Sequence, residues 1–366
     1  MFSNGTMTIV MLSIYALLTL NAAIFFATIA LAIKDKFARK KYEHACARLK
    51  DHLEAYIEDE GRAEELICQM DGVHSKRVVL DMLLEHARNS NSSLSGKFER
   101  LGYIDAAIDH AKKSLDFDII KQICIMKSPK AFDVLMEGSN SEDFELKYMC
   151  YYALSLIPLS QAQTDMFVQK LVASSILRDR IIEMIDNLDL DMERYLNLLE
   201  MQSSEIGKTV FIRVLKGKPG MENESNSNRL LKYFGDTKEV RLAAVLALAA
   251  TGSAKYFDNL MELYRREGEW EVRAAIAKSM HDFSRCGADV VEALKVMTYD
   301  EAWWVRYNAV DVLAKLGVEG ISALVDISLS KRDAAVSALA YGALNSNQAV
   351  YHTVKEYGVA SDDRCD

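Results

Sequence analysis

The stretch that decides the fold is "DEAWWVRYNAVDVLAKLG" at residues 300–317. It places two adjacent tryptophans ahead of a Val-Arg pair, and apolar residues follow three, four and seven positions after Arg306. Those three positions share one face of a helix. The stretch therefore predicts an amphipathic helix whose apolar stripe needs a neighbouring helix to bury it.

The same pattern recurs along the chain at intervals of 26 to 33 residues. The basic positions that precede an apolar set of this spacing are Lys147, Arg178, Lys208, Arg241, Arg273, Arg306 and Arg332, called the basic ladder below. Asp116 keeps the apolar set without the basic residue, and a weaker copy begins at Lys76. A period near 31 with a second apolar run between copies is typical of stacked helical hairpins.

The segments "EVRLAAVLALAATG" at 239–252 and 300–317 resemble the second helix of HEAT repeats of the short bacterial type. In that type an acidic residue, a Val-Arg pair, an Ala-rich stripe and a terminal Leu-Gly recur. The resemblance is specific for the copies over 236–317 and weakens towards residue 60. Tetratricopeptide repeats have a similar period, but their Trp-Leu-Gly-Tyr and terminal Pro signatures are missing. The resemblance implies an all-α fold, an α-solenoid of stacked HEAT-like helical hairpins.

Composition agrees with an all-helical protein, because 366 residues include 3 Pro and 17 Gly and show no sustained strand-like alternation. The organisation that we predict has six segments. These are a tail and transmembrane helix at 1–33, a basic juxtamembrane amphipathic helix at 34–59, degenerate HEAT-like repeats at 60–216, a loop or hinge at 217–228, well-formed HEAT repeats at 229–345, and a C-terminal cap and tail at 346–366.

Residues 7–33 are 27 positions without a charged side chain. At ~1.5 Å per residue this run is long enough to cross a hydrocarbon core of ~30 Å. A cleaved signal peptide is the competing interpretation, with "ALA" at 30–32 as the cleavage site. The length of the run, its uncharged leader and its basic flank favour a membrane anchor.

The basic collar at 34–50 carries seven basic and two acidic side chains. The positive-inside rule then predicts a single-pass protein of the bacterial inner membrane, with its amino terminus outside and its HEAT domain in the cytoplasm. Beyond residue 50 the net charge is −14. An acidic body is repelled by nucleic acid, so we expect the membrane and another protein, itself membrane-bound, as partners and no nucleic acid.

Catalytic motifs are missing from the sequence, which has no phosphate-binding Gly-rich loop, no H-E-x-x-H, no nucleophile elbow and no Cys/His cluster at zinc spacing. His281 and Asp282 form a lone dyad, whereas a metal site requires three or more convergent ligands. The sequence predicts no catalytic residue, no metal and no cofactor.

The basic ladder has two interpretations, a binding groove or structural ion pairs between repeats. We favour the pairs, because in stacked HEAT repeats the equivalent Arg commonly pairs with an acidic residue near the start of a helix. Asp236 and Glu301 lie four positions before the Val of the Val-Arg pair, which suits N-terminal capping.

The tryptophans point to a binding surface. Trp270 and Trp303 occupy the same repeat position, Trp304 follows, and Tyr307 lies one turn on. Aromatic side chains are enriched at protein-binding hot spots. These four residues are the predicted partner-binding surface; the alternative is that one or more packs under the preceding loop.

Within the predicted membrane span, Asn21 lies near the middle, and Ala23 and Ala27 form a small-x-x-x-small pair. An interhelical amide hydrogen bond is worth ~1 kcal/mol in a membrane. We therefore predict that these residues contact a transmembrane helix of the partner. The alternative is that Asn21 hydrogen-bonds locally.

These observations predict a non-catalytic, membrane-anchored scaffold or regulatory subunit. Residues 98–137 and the later repeats also resemble membrane-anchored bacterial HEAT proteins associated with polysaccharide-making glycosyltransferases, which implies such a partner. Two alternatives stay open. The first is an enzyme, because short HEAT repeats also resemble bilin lyases that act on phycobiliproteins; such lyases are expected to be soluble. The second is a generic signalling adaptor.

Overall fold

The computed structural model describes residues 4–90, 94–330 and 332–346, and within these it leaves out the side chains of residues 4–16, 18 and 22. Every regular element in these ranges is helical. The α-helices are α1 (Asn4–Glu58), α2 (Ala63–Gln69), α3 (Gly72–Asn89), α4 (Ser95–Arg100), α5 (Tyr103–Lys113), α6 (Phe117–Met126), α7 (Phe132–Gly138), α8 (Phe144–Leu156), α9 (Gln161–Val172), α10 (Arg178–Asp186), α11 (Met192–Glu200), α12 (Glu205–Leu215), α13 (Glu224–Asn228), α14 (Lys238–Ala249), α15 (Phe257–Arg266), α16 (Trp270–Ser279), α17 (Ala288–Met297), α18 (Trp303–Leu313), α19 (Gly317–Leu329) and α20 (Ala334–Ser346).

The chain divides into two compact units, residues 1–159 and 160–366. In the first unit α1, α3, α6 and α8 pack in succession, α5 packs on α6, and α7 packs on α8. The carboxyl-terminal part of α1 joins this core through Leu49, Leu53 and Tyr56, which are buried at the predicted helical spacing. The amphipathic helix that follows the basic collar therefore packs on the first helices of the unit.

In the second unit the even-numbered helices from α10 to α20 pack one on the next. Five of them pack on the α-helix that precedes them: α9 packs on α10, α11 on α12, α15 on α16, α17 on α18 and α19 on α20. The sixth, α14, packs on the 3-10 helix Leu231–Gly235. This is the HEAT-like helical stack that the sequence period predicts.

The repeat register is confirmed in the best-formed copies. The residues three, four and seven positions after Arg241, Arg273 and Arg306 are all buried: Ala244, Val245, Leu248, Ile276, Ala277, Met280, Ala309, Val310 and Leu313. These side chains lie between successive second helices. Their burial removes apolar surface from water, which stabilises the fold by roughly 25 cal/mol for each Å² buried.

The register predicted for the last copy is wrong by one residue. Ala335 is exposed, whereas Val336 and Ala340 are buried. Asp333 therefore occupies the ladder position in place of Arg332. Its Oδ1 accepts hydrogen bonds from the backbone N–H groups of Ala335 and Val336 at 2.8 and 3.1 Å, which fixes the start of α20.

The segment predicted as a loop or hinge, 217–228, contains α13. Lys218 Nζ lies 2.7 Å from Asp186 Oδ1 and 4.6 Å from the ring centroid of Tyr195. Asn226 Nδ2 donates to the carbonyl of Gly220 at 2.8 Å. The segment is thus tied to α10 and α11 as well as to itself.

The predicted transmembrane helix is not found in the part of the chain that the structure describes. Among the described residues, no helix is both long enough and apolar enough to cross a membrane. Residues 7–16, 18 and 22 of the predicted span lie outside the residues whose side chains are described.

Candidate partner-binding surface

The turns that open α14, α16 and α18 carry a row of ion pairs between repeats. Lys208 Nζ donates to Asp236 Oδ2 at 2.6 Å, ahead of α14. Arg241 donates from Nε and Nη2 to both carboxylate oxygens of Glu267 at 2.7 and 2.8 Å, ahead of α16. Each basic side chain therefore reaches an acidic one in the turn of the following repeat.

Arg273 continues this row ahead of α18, and its side chain is only 8% exposed. It donates from Nε and Nη2 to Asp300 at 2.9 and 3.1 Å, and from Nη2 to Glu301 at 2.9 Å. Its Nη1 donates to the carbonyls of Glu267 and Gly268, both at 3.0 Å. The five donors of a guanidinium thus have five acceptors here, which offsets the cost of burying the charge.

Two acidic partners of the row, Asp300 and Glu267, have lowered pKa values. Burial by itself raises the pKa of Asp300, but hydrogen bonds from Arg273, from the backbone N–H of Ala302 and from the Tyr264 hydroxyl outweigh it and lower that pKa. Burial likewise raises the pKa of Glu267, and the hydrogen bonds from Arg241 and the Glu269 N–H reverse the direction. For Tyr264, burial and the hydrogen bond to Asp300 both raise the pKa.

The remaining members of the basic ladder differ in their contacts. Arg178 Nη1 lies 3.6 Å from Glu239 Oε2. Arg306 Nη1 donates to the carbonyls of its own turn, those of Asp300 and Glu301, at 2.9 Å each. Arg332 stacks over Tyr299, 4.3 Å from the ring centroid, and Lys147 lies in α8.

The roles predicted for Asp236 and Glu301 are only partly right. Neither caps a helix, because the N-cap residues of α14 and α18 are Thr237 and Ala302, without a side-chain cap. Both accept hydrogen bonds from the ladder, Asp236 from Lys208 and Glu301 from Arg273.

Sequence reasoning missed Glu267 and Asp300, the most buried acids of the row. Their side chains are 3% and 6% exposed. A signal was present, because each lies six positions before the next ladder arginine, Arg273 or Arg306. In both cases the acid at this position pairs with the ladder arginine of the preceding repeat.

The four aromatic residues predicted to bind a partner, called the aromatic surface below, are all partly exposed. Trp270 is 41% exposed, Trp303 48%, Trp304 52% and Tyr307 41%. Trp303 and Trp304 meet edge to face with ring centroids 4.7 Å apart, and Trp303 stacks on Tyr307 at 5.1 Å. Trp270 opens α16 as Trp303 opens α18, at the matching repeat position.

Helix geometry explains why these rings face outward. Positions 303, 304 and 307 lie within one turn on a common face. Val305 and Ala309 occupy the opposite face and are fully buried. The stack therefore anchors α18 through its small and branched residues and leaves the aromatic rings at the surface.

A groove of about 450 Å³ adjoins the aromatic surface between α18 and α20. Its lining residues are Tyr307, Val310, Asp311, Ala314, Lys315, Ala338, Leu339, Gly342, Ala343 and Ser346. Asp311 and Lys315 are the charged residues of this lining, and they pair with each other at 2.6 Å. Most of the other lining residues are apolar.

The other predicted contact residues, Asn21, Ala23 and Ala27, lie on α1 with exposed side chains. For metal chemistry, the described ranges contain no group of three or more His, Cys, Asp or Glu side chains placed to hold an ion.

Comparisons with known proteins find a family match in this part of the chain. Residues 258–345 match a family described as HEAT repeats. No curated protein matches the chain. Among solved structures, the complex of CpcE and CpcF of phycocyanin lyase from Nostoc sp. PCC7120 is 14% identical, with 59% of this chain and 88% of that chain covered and a TM-score of 0.32. An engineered protein is also 14% identical, with 84% and 95% covered and a TM-score of 0.36. The matched residues run from α15 to α20, the stretch that carries the aromatic surface.

Proposed function

We propose that this protein is a non-catalytic scaffold or regulatory subunit that binds a partner protein through its HEAT-like repeats. The observation that carries the proposal is the aromatic surface, in which Trp303, Trp304 and Tyr307 contact one another while each stays about half exposed. Tryptophan and tyrosine dominate the binding energy of protein interfaces. Contiguous exposed rings of this kind mark interaction sites.

The aromatic surface is also held in place before any partner arrives. The turn ahead of α18 is fixed by Arg273, which bonds Asp300 and Glu301, and by Arg306, which bonds the carbonyls of the same two residues. A preorganised surface loses less conformational freedom on binding. The ion-pair row therefore supports the binding surface.

The test is co-purification from detergent extracts followed by mass spectrometry, with Trp303→Ala plus Trp304→Ala compared with the unmodified protein. We expect the double variant to lose its specific partner and to keep its helical content. The matched control is Leu177→Ala plus Leu329→Ala, two exposed apolar residues of the same unit that lie elsewhere. Equal recovery of the same partner by the tryptophan variant would refute the proposal.

We further propose that the partner is membrane-bound, with a polysaccharide glycosyltransferase as the candidate, and that residues 7–33 and the basic collar hold this protein at the bacterial inner membrane. The support is the 27-residue uncharged run, the charge asymmetry of its flanks and the resemblance described above. Leu17, Phe25 and Phe26 are more than half exposed, as lipid-facing residues would be.

Reporter fusions after residue 60 test the location of the repeats. A reporter that works only in the cytoplasm should be active, and one that works only in the periplasm should not. Periplasmic activity, or recovery of the protein in the fraction free of membranes, would remove the membrane part of the proposal and leave the partner-binding part standing.

A further inference from the structure

We infer that the aromatic surface takes a basic segment of its partner, one that presents arginine or lysine side chains. The inference rests on the proposed function and names the chemistry of what is bound. Three observations carry it: Lys238 and Arg273 are already paired with carboxylates of the protein, exposed carboxylates keep free acceptor capacity, and the exposed rings lie beside those carboxylates.

The cations around the aromatic surface bond to groups of the protein itself. Lys238 Nζ donates to Glu271 Oε1 at 2.9 Å. Arg273 uses its donors on Asp300, Glu301 and backbone carbonyls. Arg306 Nη1 is turned to two carbonyls of its own turn. To reach Lys238 or Arg273, an acidic partner would therefore have to displace Glu271, Asp300 or Glu301.

The carboxylates are less fully used. Glu301 is 85% exposed and has one described contact, from Arg273 to its Oε1. Glu269 is exposed and directly precedes Trp270. Because a carboxylate can accept several hydrogen bonds, both side chains retain room for a donor from outside.

The rings and the carboxylates lie together at the starts of α16 and α18. Glu269 is adjacent to Trp270, and Glu301 lies two positions before Trp303. Trp304 stands at 79° to Trp303 and at 82° to Tyr307, so ring faces point in more than one direction. A guanidinium stacks on an aromatic face while its N–H groups bond a carboxylate at the edge, and Arg suits this better than Lys.

The chain offers a built-in reporter for the test, because its three tryptophans are Trp270, Trp303 and Trp304. Intrinsic tryptophan fluorescence of the full chain therefore reports on this surface. The probe is a twelve-residue peptide of alternating arginine and glycine. The two comparison peptides replace arginine with citrulline, which keeps the shape without the charge, or with glutamate.

We expect the arginine peptide to give a saturable fluorescence change. The citrulline peptide should bind with an affinity at least about tenfold lower, and the glutamate peptide should give no change. Glu269→Gln plus Glu301→Gln should lower the affinity for the arginine peptide about tenfold. The amide oxygen introduced at position 301 can still accept a hydrogen bond from Arg273. The matched control is Glu262→Gln plus Glu319→Gln, two exposed acids elsewhere in the unit. Equal binding of the citrulline peptide, tighter binding of the glutamate peptide, or equal weakening by the control pair would overturn the inference.

Failure of this inference is distinguishable from failure of the proposed function. If Trp303→Ala plus Trp304→Ala loses the co-purified partner but Glu269→Gln plus Glu301→Gln retains it, the surface binds a partner that is not basic. If the tryptophan variant retains the partner, the proposed function itself fails. The inference is supported when both sets of variants lose the partner and the control pair does not.

Discussion

The junction between α16 and α18 and the junction between α18 and α20 use the same repeat but are fixed differently. In the first, Arg273 of α16 reaches Asp300 and Glu301 ahead of α18. In the second, Arg306 of α18 donates from Nη1 to the carbonyls of its own turn, and α20 packs chiefly on α19 rather than on α18. A groove of about 450 Å³ opens between α18 and α20.

The difference teaches what sets the register of the stack. Apolar burial is non-directional, so an apolar stripe alone does not fix how two helices are aligned. A guanidinium that bonds a carboxylate through two N–H groups has a more restricted geometry. The Arg273–Asp300 pair therefore restricts the alignment of α16 and α18, whereas the groove beside the aromatic surface lies at the junction where Arg306 bonds its own turn.

The largest expected effect comes from Arg273→Ala. Removing the guanidinium leaves the carboxylate of Asp300, only 6% exposed, buried without its main partner. We expect a loss of about 3–5 kcal/mol in the free energy of unfolding, measured by urea denaturation. The control is Arg266→Ala, whose exposed pairing with Glu262 is 3.8 Å long, with an expected change within about 0.5 kcal/mol. Similar losses in the two variants would mean that the buried network does not set the junction.

Acidification is expected to have the next largest effect. The direction of the change in stability follows from the pKa values of the carboxylates in the row. The pKa values of Asp300, Glu267 and Asp236 are all lower in the folded state than ordinary values. A lowered folded pKa contributes stability that is complete above the ordinary pKa and is lost as pH falls through the folded one. The stability of the protein should therefore fall below pH ~4.

The comparison is sharpened by repeating the acid series in Arg273→Ala. Without the guanidinium, Asp300 loses the main cause of its lowered pKa, so the stability of the variant should decline less steeply with acid than that of the unmodified protein. Parallel pH profiles would show that the acid sensitivity arises elsewhere.

Tyr264→Phe should have an intermediate effect. The Tyr264 hydroxyl donates to Asp300 Oδ2 at 2.8 Å, and Phe removes this donor while Arg273 stays in place. Because hydrogen bonds to charged groups contribute about 1.5–3 kcal/mol and the acceptor keeps other donors, we expect a loss of about 1–2 kcal/mol in thermal or urea unfolding. Tyr341→Phe, on an exposed ring, is the control and should be neutral. A neutral Tyr264→Phe would remove the tyrosine from the network.

Arg332→Ala is expected to have the smallest effect. Arg332 is exposed and stacks on Tyr299, and exposed cation–π contacts are worth about 0.5–1 kcal/mol. The loss should stay below about 1 kcal/mol in the same urea assay. A loss as large as that of Arg273→Ala would show that the last junction is fixed by charge after all.

The aromatic residues of the candidate site were predictable from the sequence, but the acidic residues that hold the adjoining turns were not. The repeat position of Trp270, Trp303 and Trp304 at helix starts followed from the sequence alone. Glu267 and Asp300 did not, because each is 26 or 27 residues from the arginine that it pairs with. A helical spacing states which face a residue occupies and not which turn of the next repeat its side chain reaches.

The slip at α20 shows the same limit. A template placed on Arg332 selects Ala335, Val336 and Leu339, and one placed on Asp333 selects Val336, Ser337 and Ala340. Both include the buried Val336, so the apolar pattern alone hardly separates them. The Asp333 side chain, by capping the first turn of α20, decides between the two.

The sequence alone determined the helical class, the period of the repeats and the buried faces of α14, α16 and α18, because a 3.6-residue periodicity is a local property of the chain. Only the tertiary structure decided which acid each ladder residue meets, that three aromatic rings touch while staying exposed, and that a groove opens beside them. Those features depend on how neighbouring repeats approach each other, and the distance between two helices is set by side chains that lie about one repeat apart in the chain.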